Sequence, residues 1–117
     1  LDEIHHTFLA YSGETPQFLV FDLKNRSDPV SYSLPGNSDS VRDIQFLPNY
    51  RLSLVASDGQ MHIIDIITMR VIAKKGIPSK SIVQSSADYL GKFVLNLSNT
   101  GEIYFYNLQT VLEEANT

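Results

Sequence analysis

The residues of this chain that could do chemistry are three histidines and a set of scattered carboxylates. His5 and His6 are adjacent, so their side chains project differently, and neither is joined by the spaced cysteine or carboxylate that metal sites show. His62 aligns with Leu19 and Tyr104 in the repeats described below, so its slot is otherwise apolar. We therefore expect no metal ligand and no catalytic histidine. We predict that His62 is a partly buried structural residue whose ring forms a hydrogen bond.

The aspartates recur at fixed places rather than converging on one site. Asp22 and Asp65 each close an apolar segment, and Asp58 stands directly before Gly59. Asp and Asn side chains at turns commonly bond to nearby backbone groups, so this pattern favours structure over catalysis. We assign turn and strand-end roles to Asp22, Asp58, Gly59, Asp65, Gly101 and Asn107. The sequence contains no serine-nucleophile motif and no glycine-rich phosphate loop, and we predict no cofactor.

Composition narrows the class of protein further. The 117 residues carry a net charge of −4 and no cysteine, with 43% hydrophobic and 19% charged residues. A soluble globular protein without disulfides fits these values. The pair Lys74-Lys75 is too small for a nucleic-acid surface, and no apolar run approaches the ~20 residues that span a bilayer. We expect neither nucleic acid nor membrane as a partner. Because the chain begins with Leu1, we also expect it to be part of a longer protein.

Three segments of the chain read as the same short unit. They are Gln17-Phe18-Leu19-Val20-Phe21-Asp22-Leu23, Gln60-Met61-His62-Ile63-Ile64-Asp65-Ile66 and Glu102-Ile103-Tyr104-Phe105-Tyr106-Asn107-Leu108. Equivalent positions in these segments, Asp22, Asp65 and Asn107, are 43 and 42 residues apart. An internal repeat with a period in this range is typical of stacked supersecondary units. We predict an all-β fold with units at 1–34, 35–76 and 77–108, followed by a short helix at 110–116. The helix would begin at Thr110, with Glu113 completing a capping box.

The middle unit is predicted to contain four antiparallel strands, named a to d. We expect strands at 41–46, 51–57, 60–66 and 69–74, with Asp58-Gly59 as the hairpin turn between b and c. The first unit lacks strand a, with strands at 7–12, 18–23 and 30–34. The third unit lacks strand d, with strands at 81–86, 93–97 and 102–108. Strand c is apolar on both faces: Met61 and Ile63 point one way, and Ile64 and Ile66 point the other. Such a strand fits a sheet stacked between two neighbours.

At this point the chain resembles WD40 repeats. The resemblance is carried by Ser57-Asp58-Gly59 before strand c and by Ile64-Asp65, Phe21-Asp22 and Tyr106-Asn107, where the family typically has Trp-Asp. The family's Gly-His pair and its tryptophan are missing, so these are degenerate repeats. The resemblance implies a fragment of a β-propeller with about three blades. The aromatic stripe in strand c is then expected to pack between blades.

The last two units are more specifically similar to TBC-domain WD-repeat proteins. The residues concerned are Phe46-Leu47-Pro48, Ser57-Asp58-Gly59, Tyr106-Asn107-Leu108-Gln109 and Leu112-Glu113-Glu114-Ala115-Asn116. Those proteins are associated with centrosomes, centriolar satellites and cilia. The resemblance implies a cytoplasmic, cytoskeletal location and places any TBC domain outside this chain.

The loops between strand d of one unit and strand a of the next are the best candidates for function. In propellers such loops lie on one face and commonly bind partner proteins. The residues that we expect to bind a partner are Asn37, Asp39, Arg42, Asp43 and Lys80. We therefore predict a non-catalytic scaffold whose partners are other proteins and the remaining blades of the same propeller.

Two alternative functions remain. A hydrolase or lyase would need His, Asp or Glu lining the channel, whereas the predicted inner strands offer Arg42, Asp43, Gln45 and Gln84. A self-assembling half-propeller would associate through its open edges, because strand c of the third unit lacks a predicted neighbour on one side.

Overall fold

The computed structural model describes residues 7–11, 17–22, 28–33, 40–47, 52–78, 82–88 and 90–115. These residues form three antiparallel sheets and one helix. The first sheet contains β1 (Thr7–Ala10), β2 (Gln17–Asp22) and β3 (Val30–Ser33). The middle sheet contains β4 (Val41–Phe46), β5 (Leu52–Ser57), β6 (Gln60–Asp65) and β7 (Arg70–Gly76). The third sheet contains β8 (Ile82–Ala87), β9 (Phe93–Ser98) and β10 (Ile103–Asn107), and helix α1 (Leu108–Ala115) follows it.

Each sheet is a meander in which consecutive strands pair. The middle sheet has the order β4-β5-β6-β7, and the other two sheets each have three strands. The turn between β5 and β6 is made by Asp58-Gly59, and Gly59 has a φ of 85°. Glycine adopts this left-handed conformation without the Cβ clash of other residues, so this short sequence sets the register of the hairpin. The predicted all-β fold is confirmed. Within the described residues the first and third sheets have three strands each, so the predicted lack of strand a and of strand d agrees with what is described and stays a prediction for the units as a whole. The exact limits between the units stay a prediction.

The sheets stack face to face, and β6 contributes to the core on both of its faces. Ile64 and Ile66 pack with Leu9 and Phe18 of the first sheet. Met61 and Ile63 pack in a second core, which includes Ile82 and Val94 of the third sheet and Leu108 and Val111 of α1. Ile63 has none of its surface exposed. The predicted assignment of the two faces of this strand is therefore confirmed, and burial on both faces explains its unbroken apolar run.

The C-terminal helix begins two residues before the predicted start. Leu108 is its first residue, and the side-chain oxygen of Asn107 accepts a hydrogen bond from the backbone N–H of Thr110 at 3.1 Å. Asn107 is therefore the N-cap, and the prediction that Thr110 has this role is wrong. Thr110 and Glu113 resemble a capping box in sequence, but Thr110 lies inside the first turn, where its own backbone N–H bonds to the side chain of Asn107.

The helix packs against the middle sheet rather than extending the third. Its buried residues are Leu108 and Val111, and Glu114 forms an ion pair with Lys75 of β7, with a distance of 3.0 Å between Nζ and Oε2. Within the part of the chain that the structure describes, β10 is the outer strand of the third sheet. With eight residues, α1 is too short to cross a membrane, and no other helix is present among the described residues.

Candidate partner-binding face

A β-bulge at the start of β4 separates two neighbouring candidate residues. Val41 pairs with Ser57, but Asp43 pairs with Ala56, so Arg42 is the extra residue in this strand. A bulge bends the strand and redirects the side chains next to it. Arg42 consequently points to solvent, whereas Asp43 points inward and is 8% exposed. The same irregularity recurs between Ile82 and Gln84 in β8, so it belongs to strand a of the repeat.

Arg42 joins the start of β4 to the turn between β5 and β6. Its Nε lies 3.2 and 3.1 Å from the two carboxylate oxygens of Asp58, and its Nη2 lies 3.0 Å from Oδ2. The side chain of Arg42 is 41% exposed and that of Asp58 is 14% exposed. The hydrogen bonds from the guanidinium, followed by the charge of Asp58, raise the pKa of Arg42. The guanidinium of Arg42 therefore contacts both carboxylate oxygens of Asp58, and this ion pair is exposed to solvent at one end of the middle sheet.

Asp43 connects all three sheets through its carboxylate. Oδ1 accepts hydrogen bonds from the hydroxyl of Tyr11 at 3.2 Å and from the backbone N–H of Ile44 at 2.8 Å. Oδ2 accepts one from the backbone N–H of Ser85 in β8 at 2.6 Å. The amide of Gln45 adds longer contacts of 3.3 and 3.4 Å. Burial, and then Asp43, raise the pKa of Tyr11. Asp43 thus links neighbouring sheets by hydrogen bonds directly beneath the exposed ion pair.

A series of buried polar contacts continues from Ser85, and the sequence analysis did not predict it. The Ser85 hydroxyl donates to Oδ1 of Asn96 at 2.6 Å, and Nδ2 of Asn96 lies 3.5 Å from the sulfur of Met61. Ser85 and Asn96 are register partners in the third sheet. The corresponding partners in the middle sheet are Ile44 and Val55. The sequence did contain a signal for this contact, because Ser85 and Asn96 are polar at positions that are apolar in the neighbouring repeat.

Only part of the predicted partner-binding set can be placed. Asn37, Asp39 and Lys80 lie outside the described residues. Arg42 lies at the surface, and Asp43 is buried among hydrogen-bond donors. A partner-binding role for these five residues stays a prediction.

The turn and strand-end residues lie where chain direction changes. Asp65 ends β6, and its Oδ1 accepts the backbone N–H groups of Ile67 at 2.9 Å and Thr68 at 3.3 Å. Asp22 ends β2 opposite Thr7. Gly101 has a φ of 87° in the turn between β9 and β10. Each of these positions recurs in the repeat, which explains why the residue types recur with it.

His62 differs from its prediction in two respects. It is 1% exposed rather than partly buried, and neither ring nitrogen has a hydrogen-bond partner among the described residues. Burial, and then the positive charge of Lys74, lower its pKa to about 4, an effect that the Val55 backbone opposes only in part. The ring is therefore neutral at pH 7. Neither ring nitrogen reaches a partner within hydrogen-bonding distance and angle, so the predicted hydrogen bond is not formed. The register partners of His62 on the two neighbouring strands are Val55 and Lys74, and the Val55 backbone has only the smallest of the three effects on the ring.

The described residues contain no group of three His, Cys, Asp or Glu side chains arranged to hold a metal ion. The inner strands β4 and β8 carry Arg42, Asp43, Gln45 and Gln84. Of these, Asp43 is saturated by hydrogen bonds and Arg42 is paired with Asp58. The chemistry that this arrangement supports is recognition through charge and hydrogen bonding.

Stacked antiparallel meanders of this kind define part of a β-propeller, and comparison with solved structures agrees. The β-propeller domain of Cps50 (Swd1) from Myceliophteria thermophila superimposes with a TM-score of 0.68 at 21% sequence identity. The match covers 88% of this chain and 35% of that one. The chain therefore has the fold of part of a β-propeller.

Curated relatives give the more specific likeness. The chain is similar to TBC1 domain family member 31 from Xenopus laevis (24% identical), Xenopus tropicalis (27%) and Homo sapiens (23%), in each case over 115 residues. Each alignment covers 92% of this chain and 11% of the relative, so the chain spans about a tenth of the relatives' length. No protein-family model matches the chain. The predicted resemblance to WD-repeat proteins with a TBC domain is confirmed.

Proposed function

We propose that this chain is a non-catalytic protein-binding module within a larger WD40 propeller. The observation that carries the proposal is the contrast between Arg42 and Asp43. Asp43 bonds to Tyr11, which follows β1, and to Ser85 of β8. Arg42 at the start of β4 and Asp58 in the turn between β5 and β6 form an exposed ion pair at the same end of the middle sheet. A rigid frame beneath an exposed arginine suits recognition, because arginine is enriched at protein interfaces and a preordered site loses little entropy on binding.

The proposal is tested by affinity capture of partners with the full-length protein carrying Arg42→Glu. We expect the variant to lose one or more partners while its melting temperature stays close to that of the wild type, since surface changes usually alter stability by under about 0.5 kcal/mol. Lys92→Glu is a matched control. Lys92 is an exposed cation in the turn before β9, at the opposite end of the third sheet from the turn between β9 and β10. If the wild type and both variants captured the same partners, the proposal that this face binds a partner would be rejected.

The wider context is also a proposal. The likeness to TBC1 domain family member 31 supports a role in a TBC-domain WD-repeat protein, and the resemblance drawn from the sequence suggests a cytoplasmic protein at the centrosome, centriolar satellites or cilium base. Imaging of the tagged full-length protein beside a centriole marker tests this location. A diffuse distribution in both cycling and ciliated cells would contradict it.

A self-associating propeller fragment is the second candidate function. It is favoured by the exposed apolar side chains of β10, where Ile103 is 63% and Phe105 is 60% exposed. Apolar patches of this kind mark contact surfaces, and an outer strand adds backbone groups that can pair. Light scattering distinguishes the two candidates. A concentration-dependent mass that Phe105→Glu abolishes would support self-association, and a monomer at high concentration would reject it.

A further inference from the structure

We propose that the outer edge of the middle sheet forms a docking groove for an acidic, extended segment of a partner protein. The groove has a volume of about 750 Å³ and follows β7, with Ser33 of β3 on one side and Ala115 of α1 on the other. We call it the β7 groove. It is distinct from the end of the sheet where Arg42 and Asp58 lie, so the proposal does not depend on the function proposed for that end.

The backbone of β7 is suited to pairing with an added strand. Within the described part of the chain β7 pairs on one side only, with β6. The N–H of Ile77 bonds to the carbonyl of Gly59, which makes the Gly59/Ile77 pair hydrogen-bonded. Such pairs alternate along antiparallel strands, so the backbone groups of Lys74 point away from β6, toward the groove. An extended peptide can bond to polar groups along an open strand edge.

The charges of the groove select an acidic occupant. Arg70 and Lys74 line it and are exposed, and none of the described residues that line it is acidic. Among the described residues neither cation forms an ion pair, whereas the adjacent Lys75 is paired with Glu114. This concentration of positive charge contrasts with the net charge of −4 of the whole chain. Carboxylates are the groups that complement two such cations.

His62 supplies an independent observation that points to a ligand. His62 is among the lining residues of the groove, and neither ring nitrogen has a partner within hydrogen-bonding distance and angle, although the Val55 backbone lies near enough to oppose part of the lowering of its pKa. Buried polar atoms are normally satisfied, so an unpaired buried imidazole calls for a partner that arrives from outside. His62 and Lys74 are register partners in a non-hydrogen-bonded pair, in which side chains approach closely. One carboxylate could therefore accept the imidazole N–H and pair with Lys74.

The apolar part of the groove sets the remaining requirement on the occupant. Ile72 is the extra residue of a bulge in β7, because Ile63 pairs with Ala73 and Ile64 pairs with Val71. Its side chain is exposed beside the two cations. Because of this bulge, Arg70 shares one face of the sheet with Asp65, and Lys74 shares the opposite face with His62. The segment that fits is therefore extended, with neighbouring acidic residues, whose side chains reach both faces, flanked by apolar residues.

The test uses the full-length protein and a fluorescent peptide of about eight residues, a typical strand length, that carries two adjacent Glu residues flanked by Val. The matched peptide carries Gln in place of Glu. Anisotropy at low salt is expected to show at least about tenfold tighter binding of the Glu peptide, with salt weakening it. The double variant Arg70→Gln/Lys74→Gln should lose about tenfold in affinity, and Lys92→Gln should retain it. A chemical-shift change of the His62 ring on binding would place the peptide in this groove.

Several outcomes would overturn the proposal. They are equal affinity for the Glu and Gln peptides, an equal loss in Lys92→Gln, or a bound peptide that leaves the His62 signals unchanged. Complete displacement of the peptide by an equal concentration of inorganic phosphate would also overturn it, because the groove would then be a small-anion site. The three substituted side chains are exposed, so circular dichroism spectra that match the wild type are expected for every variant.

Discussion

The middle and third sheets are built from the same repeat, yet equivalent residues have opposite surroundings. Ile63 of β6 is fully buried, while Phe105, at the same position of β10, is 60% exposed. Both strands pair on the same plan with the strand before them. The difference arises because Ile63 faces the third sheet and helix α1. Phe105 stacks on the ring of Phe93 in its own sheet, with 5.0 Å between the ring centroids, and no described element of another sheet covers it. The burial of a side chain in this architecture therefore depends on whether a neighbouring sheet covers its strand, and not on its position within the strand.

The largest effect expected from this comparison is at Ile63. Ile63→Ala removes a side chain enclosed between two sheets and should cost about 2–5 kcal/mol of unfolding free energy, through lost transfer energy and the cavity that remains. Phe105→Ala is the matched control and should cost well under that amount, about 1 kcal/mol or less. Denaturant unfolding measures both. Equal costs would mean that the far face of the third sheet is covered in solution.

Substitution of Asp43 tests whether polar contacts, as well as apolar ones, hold the sheets together. Asp43→Ala leaves the backbone N–H of Ser85 and the hydroxyl of Tyr11 without their acceptor, and should cost about 1–3 kcal/mol. Asp58→Ala removes a carboxylate from an exposed pair and should cost about 0–1 kcal/mol. Thermal unfolding of the two variants checks the contrast. If Asp58→Ala proved the more harmful, the inward role of Asp43 would be refuted.

His62 occupies the slot that Tyr104 fills in the third sheet. Its folded pKa of about 4 lies below the ordinary value near 6.5, so the unfolded chain binds the extra proton between those values. Stability from this group is therefore complete above about pH 6.5 and falls as the pH drops toward 4. We expect a loss on the order of 1 kcal/mol by pH 5, allowing for partial solvent screening.

The control for this pH effect is His62→Leu, the residue type found at position 19 in the first repeat. Carboxylates elsewhere titrate in both proteins, so the difference between their stability profiles isolates the imidazole. Parallel profiles from pH 7 to pH 4 would show that the ring is hydrated or hydrogen-bonded in solution.

The sequence predicted those features that depend on local pattern. Runs of apolar and β-branched residues predicted the strands, Asp58-Gly59 predicted the hairpin, and the two-residue period of a strand predicted the two faces of strand c. Long-range partners could not be read in the same way. The contact from Asp43 to Ser85 spans 42 residues, and its geometry depends on a bulge that no single residue type marks. The hydrogen bond expected of His62 failed for the same reason, because the opposing residues come from neighbouring strands.

The smallest expected effect concerns the point where the two repeats diverge. Asp65 and Asn107 occupy the same position, but Asp65 accepts backbone N–H groups in a turn that leads to β7, and Asn107 caps helix α1. Asn107→Ala should cost about 0.5–1 kcal/mol, the lower part of the range for lost N-caps, since the helix is terminal and short. Thr110→Ala is the control and should cost less, because Thr110 lies inside the helix and is exposed. Hydrogen exchange at the N–H of Thr110, compared between wild type and Asn107→Ala, measures the loss directly. Faster unfolding of the helix in Thr110→Ala than in Asn107→Ala would restore Thr110 as the helix start and contradict the capping geometry described above.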